Sequence, residues 1–311
     1  MSNFNHYTVM KQEAVNIMEP QDGKIYVDCT LGGGGHSGLI LEKIQPSGKL
    51  ISFDIDDDAI KAASERLKDY KNLTIVKSSY TNLRKVLKVQ GIERITGGIL
   101  LDLGASYHQL TKAERGFSFS KEAPLDMRFD QDADITAYDI VNHYKEDDLV
   151  RIFSEYGEER FSKRIAKKIV DDRRKSPIKT TTELANLIVS ATPKVKTHLH
   201  PATRVFQAIR IEVNQELKNV ETILNEALDL LDVDAIISVI SFHSLEDRLV
   251  KNIFKKEAQK CRCNNLICTC EPPRIELLTR KPILPTDEEI KENPPSRSAK
   301  LRAAKCIRIW G

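Results

Sequence analysis

Four consecutive glycines behind a carboxylate, in Tyr26-Val27-Asp28-Cys29-Thr30-Leu31-Gly32-Gly33-Gly34-Gly35-His36-Ser37-Gly38, are the residues of this chain with the most chemistry to explain. An apolar stretch ends in Asp28, opens into a glycine loop and continues into a helix with apolar residues at helical spacing. Glycine adopts positive φ freely and lets a ligand approach the backbone closely. The N–H groups at the helix start point at whatever sits over it. Gly33-x-Gly35-x-x-Gly38 matches the formal dinucleotide fingerprint. Asp28 argues for a different nucleotide: it would repel a pyrophosphate and attract the positively charged methionine amine of S-adenosylmethionine. A nicotinamide or flavin loop and a plain glycine-rich turn stay open beside that reading.

Three further groups are spaced to join this loop. Lys49 to Phe53 reads as a strand that delivers Asp54, then Asp56, Asp57 and Asp58. An acidic side chain about 20 residues past such a loop accepts a ribose diol, which makes Asp54 the candidate. Asp57 and Asp58 suit the positive end of the next helix, and all four aspartates could serve as a solvated cap. Asp102 closes another apolar run, in Leu100-Leu101-Asp102-Leu103-Gly104-Ala105-Ser106-Tyr107. Methyltransferases acting on exocyclic amines place an Asp or Asn there, before a loop that ends in an aromatic residue. The lone pair of such an amine is delocalised into the base, so it attacks poorly. A carboxylate accepting its N–H would draw the nitrogen toward tetrahedral geometry and hold it in line with a methyl donor. Capping of the next turn is the alternative for Asp102. In Ser241-Phe242-His243-Ser244-Leu245-Glu246-Asp247-Arg248 a strand opens into a helix at the same edge. His243 and Ser244 either face the substrate base, or Ser244 and Asp247 form a capping box.

The elements that must position these residues alternate strand and helix. Strands are predicted at 25–27, 49–53, 73–76 and 96–101, with helices at 37–44, 59–69 and 82–89. That order implies right-handed crossovers and a parallel sheet whose ligands bind beyond the carboxyl ends of its strands. From about Leu110 to Ile211 no strand is predicted. Helices are expected at 161–173, 181–190 and 202–227, the last broken near its middle. Strand character returns at 234–241 and a helix starts at Ser244, while the chain after Lys260 reads as proline-rich and irregular. The expected organisation is a Rossmann-like α/β core, 1–110 with 212–311, interrupted by an all-helical insert, 111–211.

The 311 residues are 41% hydrophobic and 30% charged, with a net charge of +3. From Arg248 onward there are 15 Lys and Arg against 7 Asp and Glu, a net of +8, which leaves −5 for the remainder. A basic segment on a mildly acidic body suits a polyanion, or is a solvated tail. No run approaches the roughly 18 apolar residues of a membrane span, and the N-terminal stretch lacks a signal-peptide pattern. A cytoplasmic protein is expected. Cys261, Cys263, Cys268 and Cys270 could close a tetrahedral zinc site. The C-x-C spacing is not the common one, so idle thiols and a redox role stay open.

Taken in order, these residues resemble one family, the MraW/RsmH small-subunit ribosomal RNA cytosine-N4 methyltransferases of bacteria. The match runs from His6-Tyr-Thr-Val-Met10 through the glycine loop, Leu101-Asp-Leu-Gly104, Glu114-Arg-Gly-Phe-Ser-Phe119 and Pro124-Leu-Asp-Met-Arg128. It continues through Tyr156-Gly-Glu-Glu-Arg-Phe161, His200-Pro-Ala-Thr-Arg204, the Ser241 to Arg248 segment and Ser296-Arg-Ser-Ala-Lys-Leu-Arg302. The resemblance implies S-adenosylmethionine held by Gly34, Gly35, His36, Asp54, Tyr80, Asp102 and Gln109. It implies methylation of a cytidine N4 in the decoding region of small-subunit (16S) ribosomal RNA, as free RNA or in the assembled subunit. It also implies a helical domain interrupting the core. No membrane partner is expected, and a homodimer is left open. The chain departs from the family at Ala105-Ser106-Tyr107-His108-Gln109, where Val-Ser-Ser-Pro-Gln is usual. Without the proline, position 108 regains a free φ and an N–H, and Tyr107 could stack on a flipped base. Asp102, Tyr107, His243 and Ser244 are the expected catalytic set. No cysteine is placed to attack the pyrimidine ring, so direct methyl transfer is expected. The rival readings are a methyltransferase for DNA or a small molecule, a noncatalytic RNA-binding assembly factor, and a nicotinamide oxidoreductase.

Overall fold

The computed structural model describes residues 7–104, 112–193, 200–259 and 272–309. Helices and strands first alternate as α1 (Lys11–Asn16), β1 (Ile25–Asp28), α2 (Gly35–Lys43), β2 (Lys49–Asp54), α3 (Asp57–Arg66), β3 (Leu73–Lys77), α4 (Leu83–Val89) and β4 (Gly98–Asp102). Helices α5 (Ala137–His143), α6 (Glu146–Glu155), α7 (Ser162–Arg173), α8 (Thr181–Ala191) and α9 (Ala202–Asn214) follow with no strand between them among the described residues. The chain then forms α10 (Glu216–Leu230), β5 (Ile236–Ser241), α11 (Ser244–Glu257), β6 (Ile275–Leu277), α12 (Asp287–Glu292) and β7 (Lys300–Cys306).

Among the described residues the seven strands join one sheet in the order β3-β2-β1-β4-β5-β7-β6. The first five in that order are parallel, while β7 runs antiparallel to both β5 and β6. The chain steps outward from β1 to β3, then returns to lay β4 on the other side of β1. That reversal opens a crevice beyond the carboxyl ends of β1 and β4, where ligands of open α/β sheets bind. Asp28 is the partner of Leu100 on β4 and of Ser52 on β2. Asp102 and Asp54 therefore lie two residues further along the flanking strands.

Apolar residues on both faces bury the sheet on two sides. Val27, Phe53, Ile99, Leu101 and Val239 pack with Leu83 and Leu87 of α4, Ile223 and Leu224 of α10, and Val250 and Phe254 of α11. Their neighbours along the strands, Tyr26, Leu50, Leu100, Ile240 and Leu301, pack with Ala14 and Val15 of α1, Ile40 and Leu41 of α2, and Ala63 of α3. The chain divides into two compact units, Met1–Gly104 with Leu217–Gly311, and Ala105–Glu216. The second unit has its own core, including Met127, Ile140, Phe153, Ile165, Ile188 and Ile209. Two of its helices start in capping boxes, Thr136 with Asp139 and Thr180 with Glu183, each satisfying two otherwise orphaned N–H groups.

The break expected near the middle of 202–227 falls at Gln215, which takes a left-handed conformation with φ 48° between α9 and α10. Two sequence expectations change. The strand expected from Thr96 begins at Gly98, because the Thr96 hydroxyl accepts the Ile25 N–H and closes the start of β1 instead. The chain after residue 260, expected to be irregular, supplies β6, α12 and β7. Lys300 and Arg302 made β7 look like solvated chain. Both reach Asp247 on α11, at 3.3 and 2.6 Å, and that distant carboxylate lets a charged strand lie inside the sheet.

Candidate active site

The glycine loop is held from below by the strand ends it crosses. The Leu31 N–H donates to the Phe53 carbonyl at 2.9 Å, and the Gly32 N–H to Asp54 Oδ2 at 2.8 Å. Asp54 Oδ1 accepts the N–H groups of Ile55 and Asp56, so this carboxylate shapes the loop as well as standing at the end of β2. Gly34 caps α2 at φ 75°, a conformation that side chains rarely tolerate. A Cβ on Gly35 would fall 1.8 Å from Thr8 Oγ1, so that position closes against the N-terminal segment only as glycine. Asp56 caps α3, accepting from the Asp58 N–H; Asp57 and Asp58 sit in the first turn as expected.

Asp28, read from sequence as a charge that attracts a cationic amine, sits at the end of β1. It is fully buried and accepts the Thr30 N–H at 3.1 Å and the Ser37 hydroxyl at 2.7 Å. Ser37 in turn meets Ser52 on β2 at 2.9 Å. Burial pushes the Asp28 carboxyl up to about 6.

Asp102 stands beside it at the end of β4. Its N–H donates to Thr30 Oγ1 at 2.7 Å, which ties β4 to the loop. Oδ2 lies 3.9 Å from His36 Nδ1, and Oδ1 is buried with no hydrogen-bond partner among the described residues. Desolvation, then the charges of Asp28, Glu246 and Glu289, hold the Asp102 carboxyl well above the usual carboxylate range. Asp54 is raised for the same first reason. Three crowded, partly desolvated carboxylates favour a cationic occupant and disfavour a pyrophosphate. The donor set therefore fits a nucleotide carrying a sulfonium and an ammonium.

The remaining sequence candidates divide. Gly34, Gly35 and His36 open α2, and Tyr80 follows β3 in a single 3-10 turn, Tyr80–Asn82, capped by Ser79. Together with Asp54 and Asp102 they all lie at the carboxyl edge of the sheet. His243 and Ser244 follow β5 at the same edge, but the capping box is one residue earlier than expected. His243 is the N-cap and Glu246 its partner, with His243 Nε2 3.1 Å from Glu246 Oε1. Asp247, expected in that role, holds Lys300 and Arg302. Tyr107 and Gln109 lie outside the described residues, as do Cys261, Cys263, Cys268 and Cys270. Cys29 is buried in the core, which pushes its thiol well up; it is not poised as a nucleophile.

Sequence reasoning gave no role to the N-terminal segment, which closes one side of the site. The Val9 carbonyl meets His36 Nε2 at 3.1 Å, and the Met10 N–H donates to Glu289 Oε1 at 2.7 Å. Thr286 with Glu289 three residues on was the one available signal, since that spacing marks a helix start.

With this geometry in hand, the comparisons are specific. The sequence profile described as the MraW methylase family matches residues 3–307. A Clostridium botulinum protein named ribosomal RNA small subunit methyltransferase H is 47% identical over 98% of this chain and 99% of its own length. A Sulfurihydrogenibium protein of the same name is 52% identical, covering 97% and 99%. A crystal structure of a rRNA methylase from Streptococcus thermophilus aligns with a TM-score of 0.44 at 10% identity, over 97% of this chain and 98% of that one.

Proposed function

The chain belongs to the MraW methylase family, and from that premise we propose that it methylates the exocyclic N4 of a cytidine in the decoding region of small-subunit ribosomal RNA. S-adenosylmethionine is the cofactor and ribosomal RNA the substrate class. When bound, the cofactor supplies an electrophilic methyl group on a cationic sulfur. Gly34, Gly35, His36, Asp54, Tyr80, Asp102 and Gln109 are the residues proposed to hold it, with Asp54 receiving the ribose diol.

The observation that carries the amine assignment is Asp102, a carboxylate at the switch point with an oxygen that is buried and unpartnered among the described residues. An acceptor in that state is matched by an N–H donor, and an amino group of a base offers two. Accepting one of them localises the lone pair on nitrogen and aligns it for direct transfer. A carboxylate prearranged in a dry site does this without reorganising solvent. His243 and Ser244 are proposed to border the base, with His243 acting mainly through the capping box that fixes the start of α11. Tyr107 is proposed to stack on the flipped cytosine. Replacing Tyr107 with Ala should raise the KM for RNA severalfold and leave cofactor affinity unchanged; equal loss of both would remove this role.

The direct test uses labelled S-adenosylmethionine with small subunits from cells lacking the gene, followed by digestion and mass spectrometry of the nucleosides. N4-methylcytidine is the expected product. A different methylated nucleoside would keep the methyltransferase and overturn the amine assignment. Bound cofactor with no methylated nucleoside would favour an assembly factor that retains the fold.

A further inference from the structure

Three segments distant in sequence, Glu114 to Phe119, Tyr156 to Phe161 and His200 to Arg204, meet in the second unit. Rings from two of them form a stack that rises from its core to its surface. Phe206 on α9 is 4% exposed and belongs to that core. Phe119 packs edge-on against it, with ring centroids 4.9 Å apart at 72°. The His200 ring then lies on Phe119, at 4.6 Å and 27°, and His200 is exposed. A second contact fixes this outermost ring. Its Nδ1 accepts the Ala202 N–H at 3.2 Å, as an Asn or Asp side chain holds a turn. An exposed side chain ordinarily keeps its rotamer freedom, and ordering it on binding costs free energy. At His200 the ring is ordered before any ligand arrives.

Cations lie on the adjoining segment. Arg204, in the first turn of α9, donates from Nη1 to the Glu158 carbonyl at 3.0 Å. Gly157 meets the same turn so closely that a Cβ there would fall 2.7 Å from the Arg204 carbonyl oxygen. Arg160, Lys163 and Arg164, which follow in sequence, are exposed. A flat π surface with positive charge beside it is an arrangement on which unpaired bases stack while nearby phosphates are neutralised.

We propose that His200, backed by Phe119, is a stacking platform for an unpaired base of the substrate RNA. The inference rests on RNA being the substrate, as proposed above. The base covers the side of the imidazole turned away from Phe119 and extends the existing stack by one ring. Every base has a π face, so the platform accepts any of the four. It supplies affinity and places the strand, leaving the choice of the reacting atom to the carboxylates of the first unit.

The test uses the full-length protein and a short single-stranded RNA carrying 2-aminopurine, whose fluorescence is quenched when it stacks. Two variants separate the ring from its cap. His200→Asn keeps an acceptor for the Ala202 N–H and removes the ring, while His200→Phe keeps a ring and removes the acceptor. The Asn variant should bind RNA roughly 5- to 150-fold more weakly with less quenching, and the Phe variant should stay close to the parent in both. The loss should be equal across a salt series, since stacking displaces no counterion. Parent-like binding by His200→Asn, equal losses in the two variants, or a loss that fades as salt is raised overturns the proposal. The unaltered protein gives a second reading: the carbon-bound ring protons of His200 should shift upfield when RNA is added. An unmoved signal in protein saturated with RNA overturns the platform without any variant. Failure of the unaltered protein to bind RNA would overturn the function proposed above, whereas RNA binding indifferent to residue 200 overturns only this inference.

Discussion

At the scale of single residues, the carboxylates of the switch point are held in a state that folding alone disfavours. Asp28 titrates at about 6 in the folded protein, against about 4 for an exposed aspartate. The folded state thus binds its proton more tightly than the unfolded chain does. Stability contributed by that proton is present below pH 4, falls as pH rises, and is lost above about pH 6. Asp28→Asn removes the buried charge while its amide can still meet Thr30 and Ser37. It should stabilise the cofactor-free protein by about 1–3 kcal/mol at pH 8, with no gain below pH 4, and should weaken cofactor binding. Urea unfolding at the two pH values checks this; an Asn variant no more stable than the parent at pH 8 refutes it. Asp102→Asn tests the neighbouring carboxylate. Its amide accepts a hydrogen bond less strongly and takes no proton, so kcat should fall by roughly 10²-fold or more with the KM for RNA little changed. A drop confined to KM would move Asp102 from the chemistry to binding.

At the scale of elements, the site is closed by a segment whose anchor is distant in sequence. Glu289 on α12, 8% exposed, accepts the buried Met10 N–H, and Val9 next to it reaches His36. Glu289→Ala leaves that N–H without its acceptor and should destabilise the protein by about 1–3 kcal/mol. Amide exchange at Met10 should accelerate and cofactor affinity should fall, while Glu289→Gln keeps an acceptor and should restore most of both. Unchanged exchange at Met10 in the Ala variant would refute this anchoring. Such long-range ties explain which elements could be read from sequence. The strands β1 to β4 and the helices between them were legible because glycines, aspartates and apolar runs are local signals. The start of α11 at Ser244 was legible, but its capping box was placed one residue late, since His243 is not among the usual N-cap types and Ser244 is. β7 was missed because its cations are matched by Asp247, more than 50 residues earlier. Asp28 was placed on the right strand, but the hydroxyl chain from it through Ser37 to Ser52 was not legible, because Ser52 becomes a neighbour only when β1 and β2 pair.

At the scale of the whole molecule, charge is distributed differently from its distribution along the chain. The sequence concentrates +8 after Arg248, which suggested a basic arm for a polyanion. In the folded protein Arg274 pairs with Asp229 and Glu257, Lys300 and Arg302 with Asp247, and Lys305 with Asp234. Those cations fasten the last strands to the sheet. The second unit presents a different surface on α7. Ile165, Ala166 and Ile169 are buried, while Lys163, Arg164 and Lys167 are exposed and have no ion-pair partner among the described residues. Three unmatched cations on one helix can each displace a counterion from a phosphate, and each contact contributes about 0.7–0.9 to the slope of log K against log salt. Replacing all three with Gln should therefore lower that slope by about 2–3 and raise the KM for small subunits. S-adenosylmethionine affinity should stay unchanged, since the glycine loop and its carboxylates belong to the other unit. RNA binding measured across a salt series decides the matter. A full slope in the triple variant would mean that α7 is a solvated face and that cations elsewhere in the chain meet the phosphates. A reduced slope with intact cofactor binding would separate the two tasks between the two units, one gripping the backbone of the substrate and the other supplying the buried carboxylates.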